Sequence, residues 1–524
     1  MQKAIQELLK LRLKSPQALA IAKRKLAKKF GSKILLNSEI LKNYRREVKQ
    51  NGLVAQPELE KILRKRAVRT LSGIAPVAVL TKPFPCPGKC VYCPTEKDVP
   101  QSYLSNEPAV MRAIRCCFNP YKQVRLRLQA LENNGHTPEK IELIVIGGTW
   151  SVLPEAYKYW YIANCFKAAN DYQKEKTSHL KFRTSIGVKK LKKLLLIEQR
   201  KNESAQYRII GVTLETRPDY INEKELLEMR DLGCTRVELG VQAIDDEVLK
   251  INRRGHGIKE ITEATKLLKN FGFKVTYHIM PGLPGSTPAL DLKMFKKLFS
   301  DSRFQPDQIK LYPTVVTRGS LLYRWWRSGK YKPYSDKVLQ NLIINCKKIV
   351  PPYVRIIRLI RDIPKESIIA GNSITNLRQI MKNQGAECNC IRCREAGNKK
   401  FRIKNLTLLT RNYPASDGME YFISYESKDE KTLFGFCRLR LPSPQDALIK
   451  KSALIRELHI YGDLVPVGQN KKIQHAGLGK RLMVEAEKIA KSNGYKKIMV
   501  ISGVGVRGYY KKIGYRLRNT YMVK

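Results

Sequence analysis

Between residues 77 and 312 the chain repeats one pattern six times: a short apolar run, then a glycine-rich or polar turn, then an amphipathic stretch. The runs are Val77–Leu80, Ile141–Ile146, Ile209–Leu214, Arg236–Val241, Lys274–Ile279 and Gln308–Tyr312. Strands alternating with helices predict a parallel sheet or partial barrel, with both sheet faces covered. The turns after the strands are, in order, a cysteine loop, Gly147-Gly148-Thr149, Glu215-Thr-Arg217-Pro-Asp219, Gly240-Val-Gln242, Met280-Pro-Gly282-Leu-Pro-Gly285 and Pro313-Thr314. Barrel chemistry gathers at the carboxyl ends of strands, so these six turns should converge on one mouth.

The first turn is the most specific. Cys86-Pro-Gly-Lys-Cys90-Val-Tyr-Cys93 has the spacing C-x3-C-x2-C. Three thiolates hold three corners of a [4Fe–4S] cube and leave one iron open to a small molecule. A structural zinc would want a fourth ligand, and this loop offers none before Cys116 and Cys117. Those two lie in a stretch, Met111 to Phe118, that reads as helix, with buried thiols expected. A second triplet, Cys388-Asn-Cys390-Ile-Arg-Cys393, suggests a structural zinc rather than a second cluster. Its fourth ligand is not evident; Cys346, a distant histidine or water would serve, and a metal-free segment is the alternative.

Charge narrows the partners. Lys plus Arg number 99 against 46 Asp plus Glu, a formal net charge of +53. Such an excess implies a polyanion, nucleic acid before an anionic membrane. Residues 1–70 read as helices broken at Ser15-Pro16, and carry Lys23-Arg24-Lys25, Lys28-Lys29, Lys61 and Arg64-Lys65-Arg66. They are expected to bind nucleic acid. No segment is apolar enough to span a bilayer, no signal peptide is read at the amino terminus, and thiol-rich metal motifs suit a reducing compartment. A cytoplasmic location with no membrane partner is expected.

The last ~125 residues form a separate unit by length. Apolar runs at Tyr421–Tyr425, Leu433–Leu439 and Ile455–Ile460 precede Gln474-His475-Ala476-Gly477-Leu478-Gly479-Lys480 and a helical pattern. A glycine-rich turn opening a helix presents backbone N–H groups to a pyrophosphate.

The barrel stretch resembles the radical S-adenosylmethionine (SAM) enzymes, and Q-x-x-G-x-G resembles the acetyl-CoA loop of GCN5-related acetyltransferases. Together with Lys82-Pro-Phe-Pro-Cys86, Cys90-Val-Tyr-Cys93-Pro94, Glu215 to Asp219, Arg361-Asp-Ile-Pro364, Arg456 to Gly462 and Ile501 to Arg507, the chain is similar to the catalytic-subunit family of the Elongator complex, in its stand-alone prokaryotic form. The resemblance implies an α/β fold: a basic helical tRNA-binding region (1–70), a radical SAM partial (β/α)6 barrel (71–349), a cysteine-containing linker (350–398) and an acetyltransferase domain (399–524).

It also implies formation of a 5-carboxymethyl group on the wobble uridine of tRNA. A deoxyadenosyl radical would take hydrogen from the acetyl methyl of acetyl-CoA, the carbon radical would add to the base, and thioester hydrolysis would follow. Implied cofactor contacts are Cys86, Cys90 and Cys93 for the 4Fe-4S cluster. Lys82, Gly147, Gly148, Glu238 and Gln242 are implied for SAM, and residues 474–480 for acetyl-CoA. Tyr509, Tyr510, His459 and Lys310 are the catalytic candidates. Partners would be tRNA through its anticodon stem-loop and body, and an electron donor; a homodimer is left open. The competing readings are a protein lysine acetyltransferase with a structural barrel and a non-catalytic tRNA-binding protein. A methyltransferase or methylthiotransferase would leave the acetyl-CoA loop without a use.

Overall fold

In the computed structural model, all residues are described except 1, 12, 65–71, 175–177, 183–185, 375, 398–404, 444–451 and 463–476, with the side chains of Gln2 and Lys49 also left aside.

The amino-terminal region is helical. Helices α1 (Gln2–Lys10), α2 (Pro16–Lys29), α3 (Asn37–Gln50) and α4 (Pro57–Leu63) close around Leu8, Leu19, Leu41, Tyr44 and Leu63. Ser15 starts α2 by accepting from the Ala18 N–H (3.1 Å), with Pro16 at the first helical position, where its missing N–H costs nothing. The basic residues Arg24, Lys25, Lys28 and Lys29 remain exposed. Arg45 ties this bundle to the barrel by donating to the Glu132 carbonyl (2.8 Å).

All six expected strands form, and they pair in parallel in chain order. They are β1 (Ala75–Leu80), β2 (Lys140–Ile146), β3 (Arg208–Thr216), β4 (Cys234–Gln242), β5 (Lys274–Ile279) and β6 (Gln308–Leu311). A two-residue β7 (Val316–Thr317) follows. A strand not expected from the sequence, β8 (Arg355–Arg358), then adds in parallel to β6 as the seventh of the sheet. It arises inside the stretch read as a linker, where Arg355-Ile-Ile-Arg358 is too short to stand out as a periodic segment. A short β9 (Ile368–Ala370) pairs with β7. Outward-facing Val77, Val79, Ile141, Leu143 and Val145 pack on helices carrying Val124, Leu128 and Phe166.

The second sheet runs β10 (Leu406–Ala415), β11 (Gly418–Ser427), β12 (Leu433–Pro442), β13 (Ser452–Ile460), β14 (Lys497–Val500), β16 (Tyr521–Val523), β15 (Arg516–Arg518). Only β13 and β14 pair in parallel. Their pairing stops at Ile455 and Val500 while β13 continues to Ile460, so the two strands part and leave a notch. The helix Leu478–Ser492 buries Leu482, Met483 and Ala486 against this sheet.

The second sheet docks on the amino ends of the barrel strands. Ile501 and Val504 belong to the barrel's own core, each side chain contributing about 1.5–3 kcal/mol by burial. Gly503 shows how close the contact is: a Cβ there would stand 2.0 Å from the Ile210 carbonyl oxygen. No described helix is long and apolar enough to cross a membrane.

Candidate active site

The carboxyl ends of β1 to β6 carry the first constellation. Cys90 is buried, Cys86 and Cys93 are partly exposed, and none of the three forms a disulfide. Arg254 donates to Cys90 Sγ at 3.0 Å. The Cys90 thiol is brought down to about 5, first by its hydrogen bond with Cys93, then by Arg254 and Arg217, against the cost of burial. Cys86 Sγ instead lies 3.9 Å from Thr149 Oγ1. Each thiolate of a cluster binds a different iron, so sulfurs that do not meet at a point suit a cube better than one ion.

Around this mouth, Trp150 Nε1, Arg217 Nη1, Glu238 Oε1 and Gln242 Oε1 are buried without a hydrogen-bond partner among the described residues. Buried polar atoms of that kind ask for a polar ligand. The residues therefore fit a cluster with a polar small molecule beside it. Gly147 has φ +133° and sits so tightly on Thr81 that a Cβ would lie 2.2 Å from its Oγ1; Gly148 follows with φ +99°.

Glu238 is less open than expected. It is 1% exposed and bonded to Lys310 and to His278 Nε2 (3.0 Å), with Arg236 at 3.8 Å. Burial opposes its ionisation, but Lys310, His278 and Arg236 outweigh it and hold the carboxyl well below its usual range. Lys310 thus points into the barrel, onto Glu238, and does not line the cavity described below. Lys82 is exposed and lies over Phe84 (4.9 Å), Tyr157 (5.4 Å) and Phe182 (5.8 Å), an arrangement worth about 0.5–1 kcal/mol per contact at an exposed site. The Gly282 N–H donates to Asp291 Oδ2 (2.8 Å) and its carbonyl accepts from Tyr331 (2.7 Å). The helix expected through Phe118 ends at Arg115, and of the Cys116–Cys117 pair only Cys116 is buried.

The second constellation lies at the other end of the barrel. A cavity of about 360 Å³ fills the β13–β14 notch. Gly477, Gly479, Lys480, Tyr509, Tyr510 and His459 line one side; Glu142, Gly211, Thr235 and Lys274, at the amino ends of β2 to β5, line the other. Burial raises Tyr509 to about 12 and Tyr510 further, so both hydroxyls stay protonated. Leu478 faces the core instead. Gln474, His475 and Ala476 lie outside the described residues.

His459 Nε2 is 2.9 Å from the Ser72 carbonyl. A carbonyl only accepts, so Nε2 carries the proton. Burial lowers the imidazole's pKa, and the neutral ring is left with a lone pair on Nδ1. Glu457 is committed elsewhere: burial would raise it, but Lys274 and Arg438 bring it to about 2. Glu142, Lys274 and Thr235 were not legible as site residues because they stand at strand beginnings, with no motif around them.

A third group is Cys388, Cys390 and Cys393. Their sulfurs all lie within 4.8 Å of one another, with Cys346 not among them. Convergence on one point suits a single ion better than a cube.

The family model described as the Radical SAM superfamily matches residues 85–296, and the Radical_SAM C-terminal domain matches residues 306–386. The chain is 44% identical over 474 residues to a tRNA uridine(34) acetyltransferase of Dehalococcoides mccartyi, covering 88% of this chain and 99% of the relative. It is 40% identical to Elongator complex protein 3 of Homo sapiens, with 90% of each chain covered. Among solved structures, the archaeal Methanocaldococcus infernus Elp3 lacking residues 1–46 superimposes with a TM-score of 0.72 at 38% identity. That match covers 86% of this chain and 99% of the other. With a cysteine loop over one end of a radical SAM sheet and an acetyltransferase-like notch against the other, the chain belongs to the Elongator complex protein 3 / tRNA uridine(34) acetyltransferase family.

Proposed function

We propose that the protein is a transferase that builds the carboxymethyl group at carbon 5 of the wobble uridine of tRNA, using SAM and acetyl-CoA. The observation that carries this reading is the presence, on one sheet, of both a three-cysteine mouth and an acetyltransferase-like cavity, in a chain of this family. A cluster held by Cys86, Cys90 and Cys93, with SAM beside it, supplies hydrogen-abstracting radical chemistry that side chains cannot.

The chain's own residues do the rest. Gly147 and Gly148 bring the backbone close to SAM, and Gln242 offers its free amide oxygen. Lys310 keeps Glu238 ionised, which makes it a positioning residue rather than an acyl ligand. Backbone N–H groups at Gly477 to Lys480 hold the CoA pyrophosphate at the helix amino end. Tyr509 and Tyr510 donate to the thioester oxygen, and His459 Nδ1 takes the proton of the water that cleaves the thioester. The exposed basic face of α2 contacts tRNA phosphates, and the wobble base must leave its stack to reach the mouth. Cys388, Cys390 and Cys393 hold a structural zinc, with the fourth ligand outside the chain's described thiols. A one-electron donor and a cytoplasmic, reducing setting belong to the same reading.

The test is anaerobic reconstitution with tRNA, SAM and acetyl-CoA, followed by nucleoside mass analysis. The expected product is 5-carboxymethyluridine, lost in Cys90→Ala. Protein lysine acetylation that survives Cys90→Ala, with no tRNA product from the wild type, would establish the lysine acetyltransferase reading instead.

A further inference from the structure

Inside the barrel, the lower inner faces of two strands are only partly covered. Along β1 and β2 the residues alternate: Val77, Val79, Ile141, Leu143 and Val145 are buried against helices, while Pro76, Ala78, Glu142, Ile144 and Ile146 face the interior and are partly exposed; Leu80, at the end of β1 on that face, is fully buried. β2 lies between β1 and β3, and β1 is an edge of the seven-stranded sheet, so the inner face of β2 opens onto the interior of a partial barrel. By contrast β6 is buried throughout, as is β4 except at Gln242. Barrel interiors are ordinarily filled by their own side chains, which makes partly exposed Ala78 and Ile144 unusual.

The partly exposed residues adjoin one another in a strip. Pro76 stands opposite Glu142, and Ala78 opposite Ile144. Its lower end, Glu142, lines the cavity of Tyr509, Tyr510 and Gly479. Its upper end narrows at Ile146, which packs with fully buried Leu80 against Val110 and Ala113, one residue before Gly147 and Gly148 at the cysteine-loop end. From Glu142 to Gly147 the span is about 17 Å at the usual strand rise. The facing wall is polar: Arg236 pairs with Glu142 at 2.9 Å, and Glu238 and Lys310 follow above it. One apolar and one polar wall match a flexible aliphatic chain interrupted by amides.

We propose that this strip is a passage for the acyl-bearing pantetheine arm of a CoA thioester. The nucleotide stays at the amino end of the helix Leu478–Ser492, and the acyl methyl rises through the barrel to the cysteine-loop end. The inference rests on the cavity being the thioester site, as read above. It removes any need for the acetyltransferase unit to swing: that unit is fixed to the barrel through Arg456 on Asp307, with both side chains fully buried.

The test puts a thiol halfway along the strip with Ala78→Cys, and a control thiol in the cavity with Val506→Cys. Full-length protein with its cluster intact is treated anaerobically with bromoacetyl-CoA. A thiolate displaces bromide and leaves a thioether, located by peptide mass analysis. At position 78, labelling should exceed that by bromoacetamide by about tenfold or more, because a bound reagent is held beside the thiol, and acetyl-CoA should suppress it. Equal labelling by both reagents, or no protection by acetyl-CoA, overturns the passage. Labelling at position 506 alone overturns the passage and leaves the thioester site standing. Labelling at neither position overturns both. A second variant, Ala78→Leu, should narrow the passage and cut 5-carboxymethyluridine formation about tenfold or more, with affinity for acetyl-CoA unchanged; a wild-type yield overturns the proposal.

Discussion

Arg456 Nη1 donates to Asp307 Oδ1 at 3.0 Å, with neither side chain exposed. Asp307 stands immediately before β6 of the barrel and Arg456 lies on β13 of the second sheet, so this pair joins the two sheets directly. Arg456 reaches it because the β12–β13 register slips there: Arg438 pairs with Glu457 and Leu439 with Ile455, leaving Arg456 as the extra residue. A bulge of this kind re-aims a side chain.

Asp307→Asn should be severely destabilising. Burial disfavours the Asp307 carboxylate, yet Arg456, Lys269 and Arg438 hold it well below its usual range. Removing its charge leaves buried cations without their partner, at about 3–5 kcal/mol. Thermal and urea unfolding measure this, and a change under about 1 kcal/mol would contradict the account. The acid side of the stability profile follows from the same geometry. Glu457 is lowered to about 2. Its contribution is complete above the unfolded value of about 4.3 and is lost as pH falls towards 2.

Lys269→Met should behave in the opposite way. Lys269 is fully buried, 3.7 Å from Asp307 and 3.6 Å from Glu420. Its ammonium makes no hydrogen bond among the described residues. Burial lowers its pKa to about 8, despite Asp307 and Glu420. Between about 8 and the unfolded value of about 10.4 the unfolded chain binds the extra proton, so wild-type stability should rise with pH across that window. The Met variant should lack that rise and be neutral or more stable at pH 7. Melting curves from pH 7 to 10 decide it; a large loss at neutral pH would sink the prediction.

Metal content should separate the two cysteine triplets. Cys90→Ala should lose iron and its visible absorbance while keeping zinc. Cys390→Ala should lose about one zinc per chain and keep its iron. Elemental analysis of the anaerobically purified proteins reads both, and joint loss of both metals from either variant would show that the sites are not independent.

Arg24→Ala, Lys25→Ala and Lys28→Ala remove exposed charges from α2. Each should weaken tRNA binding uniformly and reduce the slope of log K against log salt by about one. Filter binding over a range of salt concentrations is the measurement; an unchanged slope in the triple variant would remove α2 from the tRNA surface.

Much of this was legible along the chain because the signals are local. The strand runs, the Ser15-Pro16 helix start and the two cysteine triplets depend on neighbours within a few residues. Gly477 and Gly479, at the glycine-rich turn that opens a helix, line the cavity. Lys310 was harder, since strand alternation alone leaves two directions open and only the partner on β4 chooses between them. Glu142 and Lys274 carry no motif at all, yet they form the far wall of the same cavity.

By itself, then, the sequence determined the kinds of side chain brought together locally: three thiols at cluster spacing, a glycine-rich turn opening a helix and a strongly cationic composition. Only the tertiary structure decided their arrangement. It set the two sites at opposite ends of one sheet, locked them with Arg456 and Asp307, 149 residues apart, and left Ala78 and Ile144 partly exposed between them. The reason is physical. Residue type and spacing fix which ligands a short segment can hold, whereas burial, charge pairing and open interior space depend on what distant strands bring to the same point.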